Sequence, residues 1–327
     1  MSKKNDDVRL IPFTVNAVME KTSKIPQGVE MVGAPKMWLE DYQGKGIVVA
    51  ILDTGCQKDH PDLKNRIVGG RNFTLDYNRD PNNFNDNNGH GTHVAGTIAA
   101  DGTGGGVLGV APQAQLLICK VLDSKGSGSY DSIIQGIYFA IGWRGANGER
   151  VRVINMSLGG SEGTDLLHKA IVDAVEAGIS VICAAGNEGD SSEDSFEYAY
   201  PGAYNEVTEI GAVDFDGKLA YFSNNNTEID CVGPGVDILS TWPGSNYATI
   251  SGTSMATPHI AGCMALVIQR AEKEFARSIN EAEAYAQLIK ETIPLGFRKS
   301  SEGNGLVKLQ HAASLQKLIL YVKENFA

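Results

Sequence analysis

Ile47-Val48-Val49-Ala50-Ile51-Leu52-Asp53-Thr54-Gly55 is an unbroken apolar run that stops on a carboxylate and a glycine. A strand with one wet face alternates apolar and polar residues. A run without alternation belongs to a strand covered on both faces, as in a parallel sheet with helices on either side. Leu116-Leu117-Ile118-Cys119-Lys120-Val121-Leu122, Val151-Arg152-Val153-Ile154-Asn155-Met156 and Ile179-Ser180-Val181-Ile182-Cys183 read the same way. Between them, Ser129 to Trp143 and Thr164 to Ala177 carry apolar residues at three- and four-residue spacing, as helices covering a sheet should. This alternation predicts an α/β fold, a three-layer doubly wound, mostly parallel sheet with right-handed crossovers. Asp53 then stands at the carboxyl end of a strand, where open parallel sheets place functional groups.

Two other stretches end on reactive side chains. Asn88-Gly89-His90-Gly91-Thr92-His93-Val94-Ala95-Gly96 is a glycine-flanked histidine entering a helix. Ser251-Gly252-Thr253-Ser254-Met255-Ala256-Thr257-Pro258-His259-Ile260-Ala261-Gly262 places Ser254 at the mouth of an apolar helix running to about Arg270, with Pro258 in its first turn. Unpaired N–H groups and the positive dipole end at a helix start favour negative charge, which suits an oxyanion forming beside an attacked serine. Serine is equally a common helix N-cap, and on this stretch alone both readings stand. Asn187, in Ala184-Ala185-Gly186-Asn187-Glu188-Gly189, is either a turn residue between glycines or a side-chain donor.

Asp, then His, then Ser, each at the end of an element, is the chain order of one class of catalytic triad. With these motifs in place, residues 22–312 resemble a subtilisin-type serine protease, and the N-terminal leader resembles that of the intracellular subtilisins. The resemblance implies Ser254 as nucleophile, His90 as general base and then acid, Asp53 as the carboxylate orienting the imidazole, and Asn187 as an oxyanion-hole donor beside the Ser254 N–H. It implies that Gly126-Ser127-Gly128 and Ser157-Leu158-Gly159-Gly160 pair as strands with an extended peptide or protein substrate, giving broad specificity. Ala184, Ala185 and Gly186, with the region near Ala199-Tyr200-Pro201, would wall the pocket for the residue before the scissile bond. An acidic loop there, with Glu188, Asp190, Glu193, Asp194 and Glu197, is either solvated or tilts that pocket toward basic side chains. Leu10-Ile11-Pro12-Phe13 matches an inhibitory motif laid back across the active site, whereas without the resemblance it would read as a tail with a chance proline.

The same resemblance implies calcium as cofactor. One family site falls on Asp62, on a residue near Ser23 and on the loop around Thr103, where hydroxyls stand in place of family amides and leave fewer ligands. A second falls on Glu228 and Asp230 with carbonyls near Gly202, Tyr204 and Val207. Asp76, Asp80 and Asp86 are a third group, though loops rich in Asn and Asp are commonly plain turns. A homodimer is implied too, with Leu315, Leu318, Val322 and Phe326 of an amphipathic C-terminal helix as its surface, unless that stripe packs on its own domain. The expected organisation is an inhibitory extension over 1–21, a peptidase domain over 22–312 and the C-terminal helix over 313–327.

Composition narrows the alternatives. A formal charge of −11 with no basic run argues against nucleic acid or an anionic membrane surface as partner. No apolar segment approaches the ~18 residues of a membrane span, and Met1 to Asp7 leads into no apolar core, so neither an anchor nor a signal peptide is expected and the cytoplasm is. Cys56, Cys119, Cys183, Cys231 and Cys263 lack CxxC spacing and read as reduced, buried small hydrophobes. Gly102-Thr103-Gly104-Gly105-Gly106-Val107-Leu108-Gly109 contains a GxGxxG pattern, but it follows a helix instead of a strand, which argues against a dinucleotide site. Ile25 to Val32 reads as extended, Met37 to Tyr42 as a helical turn, and Asn280 to Glu291 as a helix. The remaining alternative to a protease is a silent fold of the same kind used for binding.

Overall fold

A computed structural model describes residues 7–20, 25–103, 105–192 and 194–309. The leader supplies β1 (Asp7–Leu10) and β2 (Thr14–Met19), followed by the short helices α1 (Gln27–Met31) and α2 (Ala34–Trp38). Then come β3 (Val48–Asp53), β4 (Ile67–Asn72), α3 (His90–Ala99), β5 (Gln115–Lys120), β6 (Ser127–Ser129), α4 (Tyr130–Gly142), β7 (Val151–Met156) and β8 (Leu158–Gly159). The second half holds α5 (Asp165–Glu176), β9 (Ser180–Ala184), β10 (Thr208–Val213), β11 (Ile229–Pro234), β12 (Ile238–Trp242), β13 (Asn246–Ser251), α6 (Thr253–Phe275), α7 (Glu281–Ile289), β14 (Thr292–Ile293) and β15 (Leu306–Val307).

Nine strands form the central sheet in the order β14-β15-β11-β10-β9-β7-β3-β5-β4. All pair in parallel except β14, which runs antiparallel to β15. The apolar run of β3 is explained by its two covered faces. Val49 and Ile51 pack into a core with α3 and α6, whereas Val48, Ala50 and Leu52 pack into a second core with α4 and α5. Strand order reverses at β3, with β5 on one side and β7 on the other, so Asp53 ends the strand at the switch point of the sheet.

Helix ends follow side-chain chemistry. Ser129 and Ser132 cap α4 reciprocally, the Thr164 hydroxyl accepts from the Leu167 N–H to start α5, and Asn280 and Glu283 form a capping box on α7. Proline positions produce three departures from the expected elements. Residues 27–31 are helical, because Pro26 sits at the N-cap with its φ already preset and so opens the turn. The next helix starts at Ala34, with Gly33 left-handed before it and Pro35 in its first positions, so the helical turn lies earlier than Met37. And α6 begins at Thr253, which puts Pro258 beyond the first turn, inside the helix.

Two small sheets flank the carboxyl edge of the large one, in the orders β6-β1-β8 and β12-β13-β2. Each takes one leader strand. All five cysteines are buried and unpaired. No helix among the described residues is long and apolar enough to cross a membrane.

Candidate active site

Asp53 and His90 meet in a buried pair. His90 Nδ1 lies 2.8 Å from Asp53 Oδ1 and 3.0 Å from Oδ2. A carboxylate only accepts, so Nδ1 carries the proton and Nε2 is the acceptor nitrogen. The pair is braced from behind by Asp86, whose carboxylate accepts from the Gly89 and Thr92 N–H groups and from the Thr54 and Thr92 hydroxyls. Asp86 thus pins the start of α3 to the end of β3. Lys120, fully buried, donates to the Thr54 and Leu122 carbonyls and to Asn87, and its ammonium lies 3.1 Å from Asp76 Oδ2. Asp76 and Asp86 are therefore committed to separate partners and do not converge on a third cation site with Asp80. Only one hint of Lys120's role was visible in the sequence, a lysine inside an apolar run.

Ser254 is buried at the second position of α6, one residue inside the helix start. Its Oγ donates to the Ser157 carbonyl at 3.2 Å, while His90 Nε2 is buried with no hydrogen-bond partner. The Asp–His half of a triad is assembled, and the serine hydroxyl is turned aside.

Asn187 stands in the turn after β9 with its amide orientation fixed. Oδ1 accepts from the Thr253 N–H and hydroxyl, both at 2.9 Å, which leaves Nδ2 facing outward beside Ser254. Gly252 makes room for it, since a Cβ there would lie 2.9 Å from Nδ2. That amide donates to the Pro12 carbonyl at 2.6 Å. The leader is the reason the cleft is filled. β1 runs antiparallel between β6 and β8, with Val8 opposite Gly128, Arg9 opposite both Ser127 and Gly159, and Leu10 opposite Leu158. The Leu10 N–H donates to the Gly126 carbonyl at 2.8 Å, and Gly126, left-handed at φ 72°, has no Cβ to collide with the Leu10 side chain. Ile11 is buried, and the Phe13 ring lies 5.0 Å from the His90 ring.

A cavity of about 340 Å³ borders Ile11, Pro12, Gly159, Gly160, Glu188 and Ala199. Of the acidic loop, Glu188 lines it, while Asp190 caps Ser192 and Ser195, Asp194 meets Arg298, Glu197 accepts from Asn225, and Glu193 lies outside the described residues. Ala184 closes β9, and Gly186, whose N–H donates to Thr253 Oγ1 at 3.3 Å, lies against the Glu188 carboxylate.

The subtilase family model matches residues 44–312. The chain belongs to the subtilase family. This subtilase is 55% identical to the intracellular serine protease of Paenibacillus polymyxa over 95% of its own length and 93% of that relative. It is 48% identical to the major intracellular serine protease of Bacillus subtilis, strain 168, over 93% and 94% of the two chains. Subtilisin E of the same strain is 44% identical over 77% of this chain and 63% of its own. The protein is a serine endopeptidase of the subtilisin type.

The expected calcium corners differ in character. At the first, Asp62 Oδ2 accepts from the Val107 N–H and the Tyr247 hydroxyl, and Thr103 spends its hydroxyl on Pro61 and Asp101. Asp62 Oδ2 and the Thr103 hydroxyl are thus taken up by protein partners at this corner. Ser23 lies outside the described residues. At the second, Asp230 accepts from the Tyr285 hydroxyl and the Glu209 N–H, and burial pushes its carboxyl up to about 6. Glu281 is pushed up to about 7 by burial and then by Asp230. Glu209, raised well above the usual range by burial, keeps one oxygen buried without a partner. Carboxyls held this reluctantly are what a bound cation relieves. Among the described residues no group of three or more His, Cys, Asp or Glu is already gathered for a metal. The apolar stripe at Leu315, Leu318, Val322 and Phe326 lies outside the described residues.

Proposed function

We propose that this subtilase is a cytoplasmic endopeptidase of broad specificity that cleaves peptides and proteins through an acyl-enzyme on Ser254, and that its extension over residues 1–21 inhibits it until cut. Ser254 Oγ attacks the scissile carbonyl and passes its proton to His90 Nε2, Asp53 holding the imidazolium. The tetrahedral oxygen accepts from Asn187 Nδ2 and the Ser254 N–H. His90 returns the proton to the leaving amine, and water releases the acyl group by the same steps in reverse.

The observation that carries the inhibitory part is the Asn187 hydrogen bond to Pro12. A leader carbonyl holds the donor that a substrate oxyanion would need, while Ser254 is turned toward Ser157 and away from His90 Nε2. Pro12 has no N–H to pair and a fixed φ, so the bond beside it is badly presented for attack. Tethering raises the effective concentration of the leader to roughly millimolar, enough to make a weak peptide a working inhibitor. The relatives named intracellular support the location. Calcium would sit at Glu228 and Asp230, neutralising charge and bracing the fold, and a homodimer completes the reading. Covalent labelling by a fluorophosphonate probe is the direct test. Ser254 should label fully once the leader is gone and slowly before, and absence of label on the leader-free protein would overturn the catalytic assignment.

A further inference from the structure

Asn224, Asn225 and Asn226 stand in a row between β10 and β11, and all three are buried, at 2%, 6% and 0% exposure. Asparagine is mostly a surface residue, and when it is buried its amide is paired. Asn225 donates to the Ser195 carbonyl and accepts from the Ser301 hydroxyl, while Asn226 donates to the Glu197 carbonyl and to Glu209 Oε1. Asn224 faces the turn that carries Asn187. Its Nδ2 donates to the Ala185 carbonyl at 2.8 Å, its Oδ1 accepts from the Glu188 N–H at 2.7 Å, and its own N–H donates to the Gly186 carbonyl at 3.2 Å. The chain leaves the sheet at the end of β9, so these turn groups have no strand to pair with, and one residue with both donors and an acceptor meets all three. The approach is close. Gly186 is left-handed at φ 116°, and a Cβ there would lie 2.2 Å from Asn224 Nδ2.

We propose that Asn224 is a positioning residue for the oxyanion hole, which fixes the turn over residues 185–188 so that Asn187 Nδ2 points at the developing oxyanion. This rests on the proteolytic reading above, with Asn187 as donor. Asn187 needs support at two ends. Thr253 on α6 holds the tip of its side chain, and Asn224 holds the backbone that bears it, by bonds on both sides, at Ala185 and Gly186 before it and at Glu188 after it. A donor that wanders is nearly a donor lost, since a misplacement of about 1 Å can cost ~10²-fold in rate. The Asn224 amide also has one orientation only. Turned over, Nδ2 would face the Glu188 N–H and Oδ1 the Ala185 carbonyl, so that neither bond forms. An aspartate meets one of the two turn groups and an alanine neither.

The test uses the full chain, folded intact with its leader then cut in trans, and the variants Asn224→Ala, Asn224→Asp and Asn225→Ala, the first two also combined with Asn187→Ala. Asn224→Ala should lower kcat about ten- to hundredfold with KM little changed. A peptide aldehyde, whose hemiacetal oxygen draws on the same donor, should bind more weakly by a similar factor. In the Asn187→Ala background the same change should cost almost nothing more, because the group it positions is already gone, and full additivity would overturn the proposal. Asn225→Ala removes a buried asparagine whose bonds lie elsewhere. It should lower the denaturant midpoint with kcat little changed, and a loss in kcat equal to that of Asn224→Ala would reduce both effects to general loosening. Asn224→Asp keeps the size and the acceptor, so it serves where the alanine variant does not fold, and an unchanged kcat in that folded variant would also overturn the proposal. Amide exchange over residues 185–189 of the intact chain needs no turnover. It should quicken in either Asn224 variant, and unchanged exchange would reject the clamp. If Asn187→Ala alone leaves kcat intact, the oxyanion reading fails, while the exchange measurement still decides whether Asn224 holds the turn.

Discussion

Ser157 and Ser254 exchange hydrogen bonds in both directions: Ser157 Oγ donates to the Ser254 carbonyl at 2.9 Å, and Ser254 Oγ donates to the Ser157 carbonyl at 3.2 Å. The first bond has a cause in the helix. An α-helical carbonyl is taken by the N–H four residues on, and for Ser254 that residue is Pro258, which has none. The Ser157 hydroxyl fills the vacancy and ties the residue before β8 to the first turn of α6. Ser157→Ala should cost about 1–3 kcal/mol, the penalty for an orphaned buried acceptor. Pro258→Ala in the same background should recover part of it by supplying the helical N–H. Denaturant midpoints of the two single variants and the double variant check this, and additive effects would refute the coupling.

Asn187 should matter to rate and hardly to substrate affinity. Its Oδ1 accepts from the Thr253 N–H and hydroxyl and its Nδ2 points outward, so Asn187→Ala removes the donor together with the acceptor that holds Thr253. Loss of roughly 10²–10³ in kcat with KM little changed is expected, a range measured on the matching donor of subtilisin itself. Gly252→Ala should reproduce part of that loss, because its Cβ would crowd Nδ2 at 2.9 Å. A loss confined to KM in either variant would remove Asn187 from the oxyanion role.

Much of this site was legible in the sequence, and the limits were physical. The unbroken run ending at Asp53 fixed both the covered strand and the end where chemistry sits, because burial on two faces leaves no alternation. Thr164 and Asn280 marked helix starts through local capping, which needs no tertiary information. Pro258 misled because a proline inside a helix is tolerated only when something else meets the freed carbonyl, and that partner, Ser157, is far away in the chain. The partners of Lys120 and Asp86 could not be read for the same reason, since they lie on other elements. The pairing of β2 with β13 could not be foreseen, because an exposed strand held by main-chain bonds carries almost no side-chain pattern.

Stability should depend on pH with opposite signs at two places. Asp230 and Glu281 have folded values raised to about 6 and about 7. Protonation favours their folded environment, so their contribution is present in acid and lost as pH rises through those values. His93 and His259 are lowered by burial to about 3 and about 4. Their contribution is complete above the ordinary histidine range, near 6.5, and declines as pH falls toward the folded values. In chelator the carboxyl and histidine contributions should therefore oppose and largely offset each other between about pH 5 and pH 7, and the melting temperature should fall well below pH 5 as the histidines are protonated. Calcium should restore more at pH 8 than at pH 5.5, since a cation binds the ionised cluster. Thermal melts with and without chelator across this range decide it. A calcium effect that does not grow with pH would count against Glu228 and Asp230 as the site.

The leader is held at two places, β1 between β6 and β8 and β2 on β13, with Pro12 between them under the Asn187 amide. A clamp at both ends resists release, so an intact chain should hydrolyse a chromogenic peptide slowly at first and accelerate as it processes itself. A chain beginning at Lys21 should show full rate from the first seconds. Pro12→Ala separates occupancy from resistance. It leaves both strands in place but restores an N–H and a free φ at the position facing the catalytic groups, so the leader becomes an ordinary substrate. The lag of the Pro12→Ala chain should shorten, and mass spectrometry should find new cuts next to residue 12. Suppose instead that the intact and shortened chains have equal initial rates and that the intact one does not process itself. The leader would then be a passenger in the cleft, and the roles of Asp53, His90 and Ser254 would stand without it.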